Sequence, residues 1–139
     1  MKLDTTTEFG ARATRRLRDE LIGWLVTVTT DRAPQPIPVW FLWDGQSCLV
    51  YSQPDTAKLR NIAGNPRVAL HLDGDGQGGD VVILSGEARV VTDAPPATQV
   101  PAYLEKYRQG MARIGMTPEM FARTYSIALR ITPTRIHGH

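Results

Sequence analysis

The sequence predicts a mainly β protein, in which strands pair as an antiparallel barrel and short helices are inserted between them. The chain has 139 residues, the usual size of one domain with one hydrophobic core. Its apolar segments are short, rich in β-branched residues and separated by turn residues, as in strands joined by hairpins. The segments that we assign to strands are 24–30, 37–43, 47–52, 67–73, 81–92 and 125–132. Residues 1–139 are therefore predicted to form a single domain, with 1–10 as a flexible N-terminus.

The first helix is predicted from its periodicity. Residues 11–23 place Leu17, Leu21 and Ile22 among charged residues and end at a glycine, which is typical of a short amphipathic helix. The same segment carries a cluster of four cations, namely Arg12, Arg15, Arg16 and Arg18. We expect a solvated helix face there, and an anion-facing role for part of the cluster is the alternative.

The second strand has features that bear on function. It follows a proline-rich turn at 31–36 and ends at Asp44-Gly45, a favourable hairpin dipeptide. Because Pro36 and Pro38 cannot donate a ladder hydrogen bond, we expect this strand at an edge or an opening of the sheet. Neighbouring backbone groups would then be free to meet a ligand.

The later elements are short helices and one flexible loop. Residues 55–63 are predicted to be a short helix, which Gly64-Asn65-Pro66 ends. The glycine-rich stretch 74–79 is predicted to be a mobile hairpin loop. Two further helices are expected at 95–109 and 118–124, before the last strand. Among the tryptophans, most of which are core residues in proteins, Trp24 and Trp43 are assigned to the core and Trp40 to a pocket wall.

Composition and charge exclude several classes of function. The formal net charge is +2, which is too small for a protein dedicated to binding phosphate backbones. No apolar run approaches the roughly 20 residues that cross a bilayer, and the first residues include no apolar signal segment. The single cysteine, Cys48, is expected to be a small buried filler in a reducing compartment. We therefore expect a cytoplasmic protein with no membrane or nucleic-acid partner.

Familiar catalytic and metal motifs are missing from the sequence. The glycines of 74–79 lack the Lys-Ser/Thr ending of a phosphate loop, and they precede a strand rather than a helix. His71 stands alone, and His137 and His139 have no carboxylate at ligand spacing, so no metal site is predicted. No Gly-x-Ser-x-Gly nucleophile elbow occurs.

One segment combines the groups that an anion needs. A predicted strand ends at Ser52, so early helix N–H groups, the hydroxyls of Ser52 and Thr56 and the Lys58 ammonium can converge on one anion. Asn61 lies three residues after Lys58 and shares its helix face. The opposite, core-facing stripe is predicted to be Leu59, Ile62 and Ala63. From spacing alone, an anion site and a solvated, well-capped helix are equal alternatives.

Three segments resemble a known family. They are Ser52-x-Pro54-x-x-x-Lys58-x-x-Asn61-Ile62-x-x-Asn65-Pro66-x-Val68, the stretch Pro36 to Gly45, and the ending Tyr125 to Ile136. Together they resemble the pyridoxamine 5′-phosphate oxidase-like split β-barrel superfamily. They are particularly similar to its small actinobacterial members that use the deazaflavin coenzyme F420, the B-type branch of the F420-dependent oxidoreductases. The resemblance covers roughly residues 10 to 137.

The resemblance implies a split β-barrel of the FMN-binding-protein type, assembled as a homodimer with a cofactor in each of two interfacial grooves. Lys58 and Asn61 would hold the cofactor phosphate, with help from Tyr51 and Ser52. The flavin-like ring would lie against the backbone of Gln35, Pro36, Ile37, Pro38, Val39 and Trp40.

The function implied by the resemblance is hydride transfer between F420 and an electron-poor small molecule. The larger pyridoxamine phosphate oxidases hold the flavin phosphate with additional basic residues that have no full equivalent here, which favours F420 over FMN. Two alternatives stand beside it: an FMN-binding oxidoreductase of the same fold, and a non-catalytic protein that stores F420 or a flavin. No catalytic residue is predicted, because nothing in the sequence selects Tyr51, Tyr125 or a water as the proton donor.

Overall fold

A computed structural model describes residues 2–139 and contains seven strands and four α-helices in that range. The strands are β1 (Gly23–Val28), β2 (Pro34–Val39), β3 (Leu42–Trp43), β4 (Cys48–Ser52), β5 (Arg67–His71), β6 (Val82–Val91) and β7 (Ile127–Gly138). The helices are α1 (Glu8–Asp19), α2 (Ala57–Gly64), α3 (Pro101–Arg113) and α4 (Pro118–Thr124), and a 3₁₀ turn (Ala97–Gln99) precedes α3. No helix in the described range is long and apolar enough to cross a membrane.

The strands form one curled antiparallel sheet in the order β2-β1-β5-β6-β7-β4-β3. Each neighbouring pair along this order is antiparallel. The architecture is a half-barrel, mainly β with helices inserted between strands, and it confirms the predicted split β-barrel fold. The strand β2 lies at one edge of the sheet, which confirms the expectation drawn from Pro36 and Pro38.

Two apolar cores lie on opposite faces of the sheet. Along β4, Val50 belongs to the first core and Leu49 and Tyr51 to the second, as the alternation of side chains along a strand requires. The first core fills the curl of the sheet and includes Leu17 of α1 and Ile62 of α2. In the second core, α3, α4 and the 3₁₀ turn pack on the outer side of β4 and β7. The helices α3 and α4 therefore cover the outer side of the sheet at its β4 end.

The prediction of one continuous strand over residues 37–43 is wrong. The observed strand β2 begins at Pro34, inside the predicted turn, and ends at Val39, and the chain resumes as β3 at the opposite edge of the sheet. The buried Tyr107 hydroxyl explains the break, because it accepts a hydrogen bond from the Phe41 amide (2.8 Å) and lies 2.9 Å from the Phe41 carbonyl. These bonds satisfy the Phe41 backbone without a neighbouring strand.

The ends of several other elements differ from the predictions. The helix α1 begins at Glu8 rather than residue 11, because the Thr7 hydroxyl accepts a hydrogen bond from the Gly10 amide and caps it. Gly23, the predicted end of that helix, is instead the first residue of β1. The predicted helix 95–109 is the 3₁₀ turn followed by α3. The last strand continues past Thr132, because β6 supplies partners as far as Gly138.

The arginine cluster and the acidic loop, which the sequence presents as separate features, bind each other. Arg12 Nη1 donates to Asp80 Oδ1 at 2.7 Å, and Arg16 Nη1 donates to the Asp80 carbonyl at 2.6 Å. Arg16 also donates to the Asp73 carbonyl. The expected solvated face is therefore wrong for Arg12 and Arg16, whose side chains are only 18% and 13% exposed. These cations hold the loop that joins β5 to β6.

Candidate functional site

The predicted anion site forms where β4 ends and α2 begins. Ser52 is buried, and its hydroxyl lies 3.3 Å from the Thr56 hydroxyl. The Lys58 ammonium lies 3.4 Å from the same Thr56 hydroxyl. Thr56 stands at the N-cap of α2, yet its side chain makes no capping hydrogen bond. Two hydroxyls and one ammonium thus converge at a helix start whose first N–H groups have no side-chain cap.

The Lys58 ammonium has no charged partner in residues 2–139. None of the ion pairs in this range involves Lys58. Burial lowers the pKa of Lys58, because removing the ammonium from water disfavours its charged form. A bound anion would reverse this effect, so the cluster has the chemistry of an anion site.

Asn61, the second predicted phosphate ligand, binds the edge strand instead. Its side-chain Nδ2 donates to Thr27 Oγ1 at 3.0 Å and to Gln35 Oε1 at 2.9 Å. The amide group has two hydrogens, and both are used. Asn61 therefore fastens α2 to β1 and β2, and it would bind a phosphate only after releasing one of these partners.

A cavity of about 170 Å³ opens beside the anion cluster. Five predicted residues line it: Pro38, Val39, Trp40, Tyr51 and Lys58. The structure thus brings the end of β2, the end of β4 and the start of α2 around one space. Trp40 lines this cavity, and its role beside a cofactor ring stays a prediction.

The other predicted residues lie outside the lining of this cavity. Gln35 and Pro36 are exposed on β2, and Ile37 packs partly against the first core. Ser52 lies beside Thr56, where its hydroxyl also donates to the Gln53 carbonyl at 2.8 Å. Whether any of the ten predicted residues binds a cofactor remains a prediction.

The far wall of the cavity comes from α3 and α4, which sequence reasoning did not place there. It consists of Tyr103, Ile114, Phe121 and Tyr125. The tyrosines at 103 and 107 are four residues apart, as are Phe121 and Tyr125, so each pair shares a helix face or its continuation. That spacing marks an aromatic face, but only long-range packing reveals what the face meets.

Four aromatic rings form a nearly parallel column along this wall. Tyr107 stacks on Trp40 with ring centroids 4.7 Å apart and planes 6° apart. Trp40 stacks on Phe121 (5.5 Å, 14°), and Phe121 stacks on Tyr125 (4.5 Å, 16°). Such stacks fix ring orientation, so Trp40 is held rigidly in the cavity wall between Tyr107 and Phe121.

Three of the residues that the sequence assigns to the core are not fully buried. Trp24 is half-buried and donates from Nε1 to Asp73 at 3.0 Å, so its assignment to the core is wrong. Trp43 is also only half-buried, although it packs against the first core. Ala63 is exposed and leaves the predicted core-facing stripe to Leu59 and Ile62. Cys48 is the expected buried filler.

Burial also determines the chemistry of Cys48. It raises the pKa of the thiol to about 12, so the thiol stays protonated and unreactive near neutral pH.

Within residues 2–139, no three His, Cys, Asp or Glu side chains are grouped so as to hold a metal ion.

Comparison with known proteins identifies the family. The family model of pyridoxamine 5′-phosphate oxidase matches residues 10–139. The chain belongs to this family. No curated protein matches it.

Three solved structures illustrate the range of similar proteins. An F420 reductase is 26% identical with a TM-score of 0.70, and the match covers 88% of this chain and 94% of that one. General Stress Protein 26 from Bacillus anthracis is 21% identical (TM-score 0.69, covering 91% and 90%). HutZ, the heme storage protein of Vibrio cholerae, is 15% identical (TM-score 0.63, covering 99% and 95%). The last two show a shared fold alone.

Proposed function

We propose that this protein is an F420-dependent oxidoreductase of the B-type branch, which transfers a hydride between the deazaflavin and an electron-poor small molecule. The observation that carries the proposal is the Lys58 ammonium, which has no carboxylate partner and lies at the rim of an aromatic cavity. A phosphate-bearing, flavin-like cofactor needs both a cation for its phosphate and a flat apolar wall for its ring. The 26% identity with an F420 reductase supports the choice of cofactor.

The residues present fit such a cofactor at its phosphate. Lys58 would bind the phosphate with the hydroxyls of Ser52 and Thr56, and the first N–H groups of α2 would orient it. The bound deazaflavin would supply the hydride chemistry. The chain itself would position the ring against residues 35–40 and exclude water through its aromatic wall.

The ring, in contrast, needs more space than this cavity offers. The cavity holds about 170 Å³, whereas pockets for ligands of this size span roughly 300–1,000 Å³. We therefore propose that the groove is completed by a second copy of the chain, as in the homodimer expected from the resemblance. Outward-facing Trp24, Val26, Ala69 and Ile83 are half-exposed on β1, β5 and β6, and they offer an apolar face to that copy.

The assembly is tested by light scattering coupled to size-exclusion chromatography. A homodimer has twice the 15.4 kDa mass of one chain. A particle of 15.4 kDa that still binds the cofactor with full affinity would contradict the shared groove.

Two other functions make different predictions for the same site. An FMN-binding oxidoreductase would purify as a yellow protein with a flavin absorbance band. A storage protein would bind F420 but would not oxidise its reduced form with any member of a panel of enones and quinones. HutZ, a heme storage protein with this fold, is the precedent for the second alternative.

The phosphate position is tested by Lys58→Ala. We expect cofactor binding to weaken by about 1.5–3 kcal/mol, the usual contribution of a hydrogen bond to a charged group, or roughly 10- to 150-fold in Kd. The matched control is Arg60→Ala, which removes a cation from the same helix. Arg60 is exposed and donates to the Asp55 carbonyl at 2.8 Å. Equal effects of the two variants would place the phosphate elsewhere.

A further inference from the structure

We propose that Lys106 is an acylation site, at which a short-chain acyl thioester held in a second cleft transfers its acyl group to the side-chain amine. This goes beyond the proposed function, since no residue that lines the second cleft also lines the cavity beside Lys58. The site combines an apolar cleft, an amine in the cleft wall and a hydrogen-bond acceptor for the product.

The second cleft lies beside β3, at the edge of the sheet opposite β2. Its volume is about 530 Å³, which falls in the usual range for small-ligand sites and exceeds that of the cavity beside Lys58. The apolar residues of its wall are Leu21, Leu42, Trp43 and Ala102. Leu21 is a large apolar side chain that is 47% exposed. A short acyl chain in the cleft would remove part of this apolar surface from water.

The amine of Lys106 lies in the wall of the same cleft. Lys106 is half-buried, and its Nζ donates to the Phe41 carbonyl at 2.9 Å and lies 3.9 Å from the centroid of the Phe41 ring. Its contact of 3.4 Å with the Leu17 carbonyl is too long for a strong second hydrogen bond. When neutral, the amine can keep the bond to Phe41 with one hydrogen and still offer its lone pair to an electrophile.

The charged side chains near this amine do not pair with it. They are Arg18, Asp19 and Glu20 around the end of α1 and Glu105 on α3. Arg18 binds Asp19 at 2.7 Å, and Glu20 binds Arg16. Glu105 is exposed. None of the ion pairs among residues 2–139 involves Lys106.

Burial makes the neutral amine available at moderate pH. It lowers the pKa of Lys106 to about 8, because removal of the ammonium from water disfavours its charged form. Asp19, Glu20 and the Cys48 thiol oppose this shift, but burial outweighs them. The neutral amine is the nucleophile in acyl transfer, so about half of the Lys106 side chains are in the reactive form at pH 8.

The surroundings of the amine favour an acyl donor over other electrophiles. When the nitrogen attacks a thioester carbonyl carbon, a C–N bond forms, the C–S bond breaks with its electron pair on sulfur, and the proton lost by nitrogen neutralises the thiolate. The product is an uncharged amide whose remaining N–H still donates to the Phe41 carbonyl. A neutral imine formed with an aldehyde has no N–H and would leave that carbonyl without its donor.

The test compares lysines within one reaction, since the chain has only Lys2, Lys58 and Lys106. The purified protein is treated with the acetyl or the butyryl thioester of N-acetylcysteamine, and acylation of each lysine is followed by peptide mass spectrometry. Exposed Lys2 reports the intrinsic reactivity of each reagent. At pH 8, the butyryl reagent should acylate Lys106 faster than Lys2. Relative to Lys2, Lys106 should prefer butyryl over acetyl by roughly fivefold, because the cleft partly buries two more CH₂ groups.

Two variants locate this preference in the cleft. Leu21→Ser removes part of the apolar wall and should reduce the preference to roughly twofold or less. Val90→Ser is the matched control, since Val90 is similarly exposed (49%) but lies on β6, outside the cleft, and it should retain the preference. Thermal unfolding of both variants establishes that they are folded.

The pH dependence of the rate tests the state of the amine. In the wild type, acylation of Lys106 should level off above about pH 9, once the amine is fully neutral. A rate that keeps rising in proportion to hydroxide up to about pH 10 would overturn the proposal.

Three other results would also overturn it: slower acylation of Lys106 than of Lys2 by the butyryl reagent at pH 8, the same butyryl preference at both lysines, or a preference that folded Leu21→Ser retains in full. The first two are measured on the wild type and do not depend on a variant. No cofactor is added in these measurements. A failure to bind F420 would therefore remove the proposed function without affecting the acylation of Lys106.

Discussion

The clearest prediction about the architecture of the site concerns Tyr107→Phe. The Tyr107 hydroxyl joins α3 to the break between β2 and β3, where it accepts from the Phe41 amide at 2.8 Å and lies near two carbonyl oxygens. Removing it leaves the fully buried Phe41 N–H without this partner. A buried unpaired donor costs about 1–3 kcal/mol, and losing the hydroxyl's own donated bond adds about 1 kcal/mol.

The sum, about 2–4 kcal/mol, is a large fraction of the stability of a domain of this size. It corresponds to a fall in Tm of roughly 6 to 20 °C, since 1 kcal/mol shifts a domain of this length by about 3 to 5 °C. Differential scanning calorimetry and urea unfolding of Tyr107→Phe beside Tyr103→Phe, which loses a buried hydroxyl without a hydrogen-bond partner among the described residues, provide the measurement. The reasoning is refuted if the two variants are equally stable, because they lose the same atom from neighbouring positions and differ only in its partners.

Two other predictions concern buried groups outside the proposed cofactor site. Cys48 should not react with Ellman's reagent in the native protein at pH 8 and should react fully in denaturant; rapid native labelling would contradict its burial. Lys106 donates to the Phe41 carbonyl at 2.9 Å, and burial lowers the pKa of its ammonium from 10.5 to about 8. Between these values the unfolded chain binds more protons, so the unfolding free energy of the wild type should rise with pH relative to Lys106→Met. Urea unfolding of both proteins at pH 8 and pH 10 measures this. The prediction is refuted if the unfolding free energy of the wild type minus that of Lys106→Met falls or does not change between these pH values.

Much of the fold follows from local patterns in the sequence. The short β-branched segments and the turns between them predict an antiparallel sheet, and Pro36 and Pro38 correctly predict that β2 is an edge strand. Local patterns fail where a distant group decides the outcome. The strand predicted at 37–43 is interrupted because Tyr107, 66 residues from Phe41, binds the backbone there. No property of residues 37–43 reveals that bond.

The candidate site likewise combines local features, which the sequence predicts, with long-range contacts, which it does not. The convergence of Ser52, Thr56 and Lys58 is local, and spacing around one helix start is enough to predict it. The hydrogen bond from Asn61 to Gln35 is not local, since it depends on β2 lying beside α2. The aromatic wall from α3 and α4 depends on how the second core packs, so sequence reasoning identified the helices without their role.

Competing titrations of the purified protein with F420, FMN and haem test the central claim most directly. Quenching of tryptophan fluorescence reports binding, because Trp40 lies in the cavity wall. The proposal predicts saturable binding of F420 that is tighter than that of FMN or haem and is weakened by Lys58→Ala but not by Arg60→Ala. Tight binding of FMN or haem with no measurable affinity for F420 would contradict it.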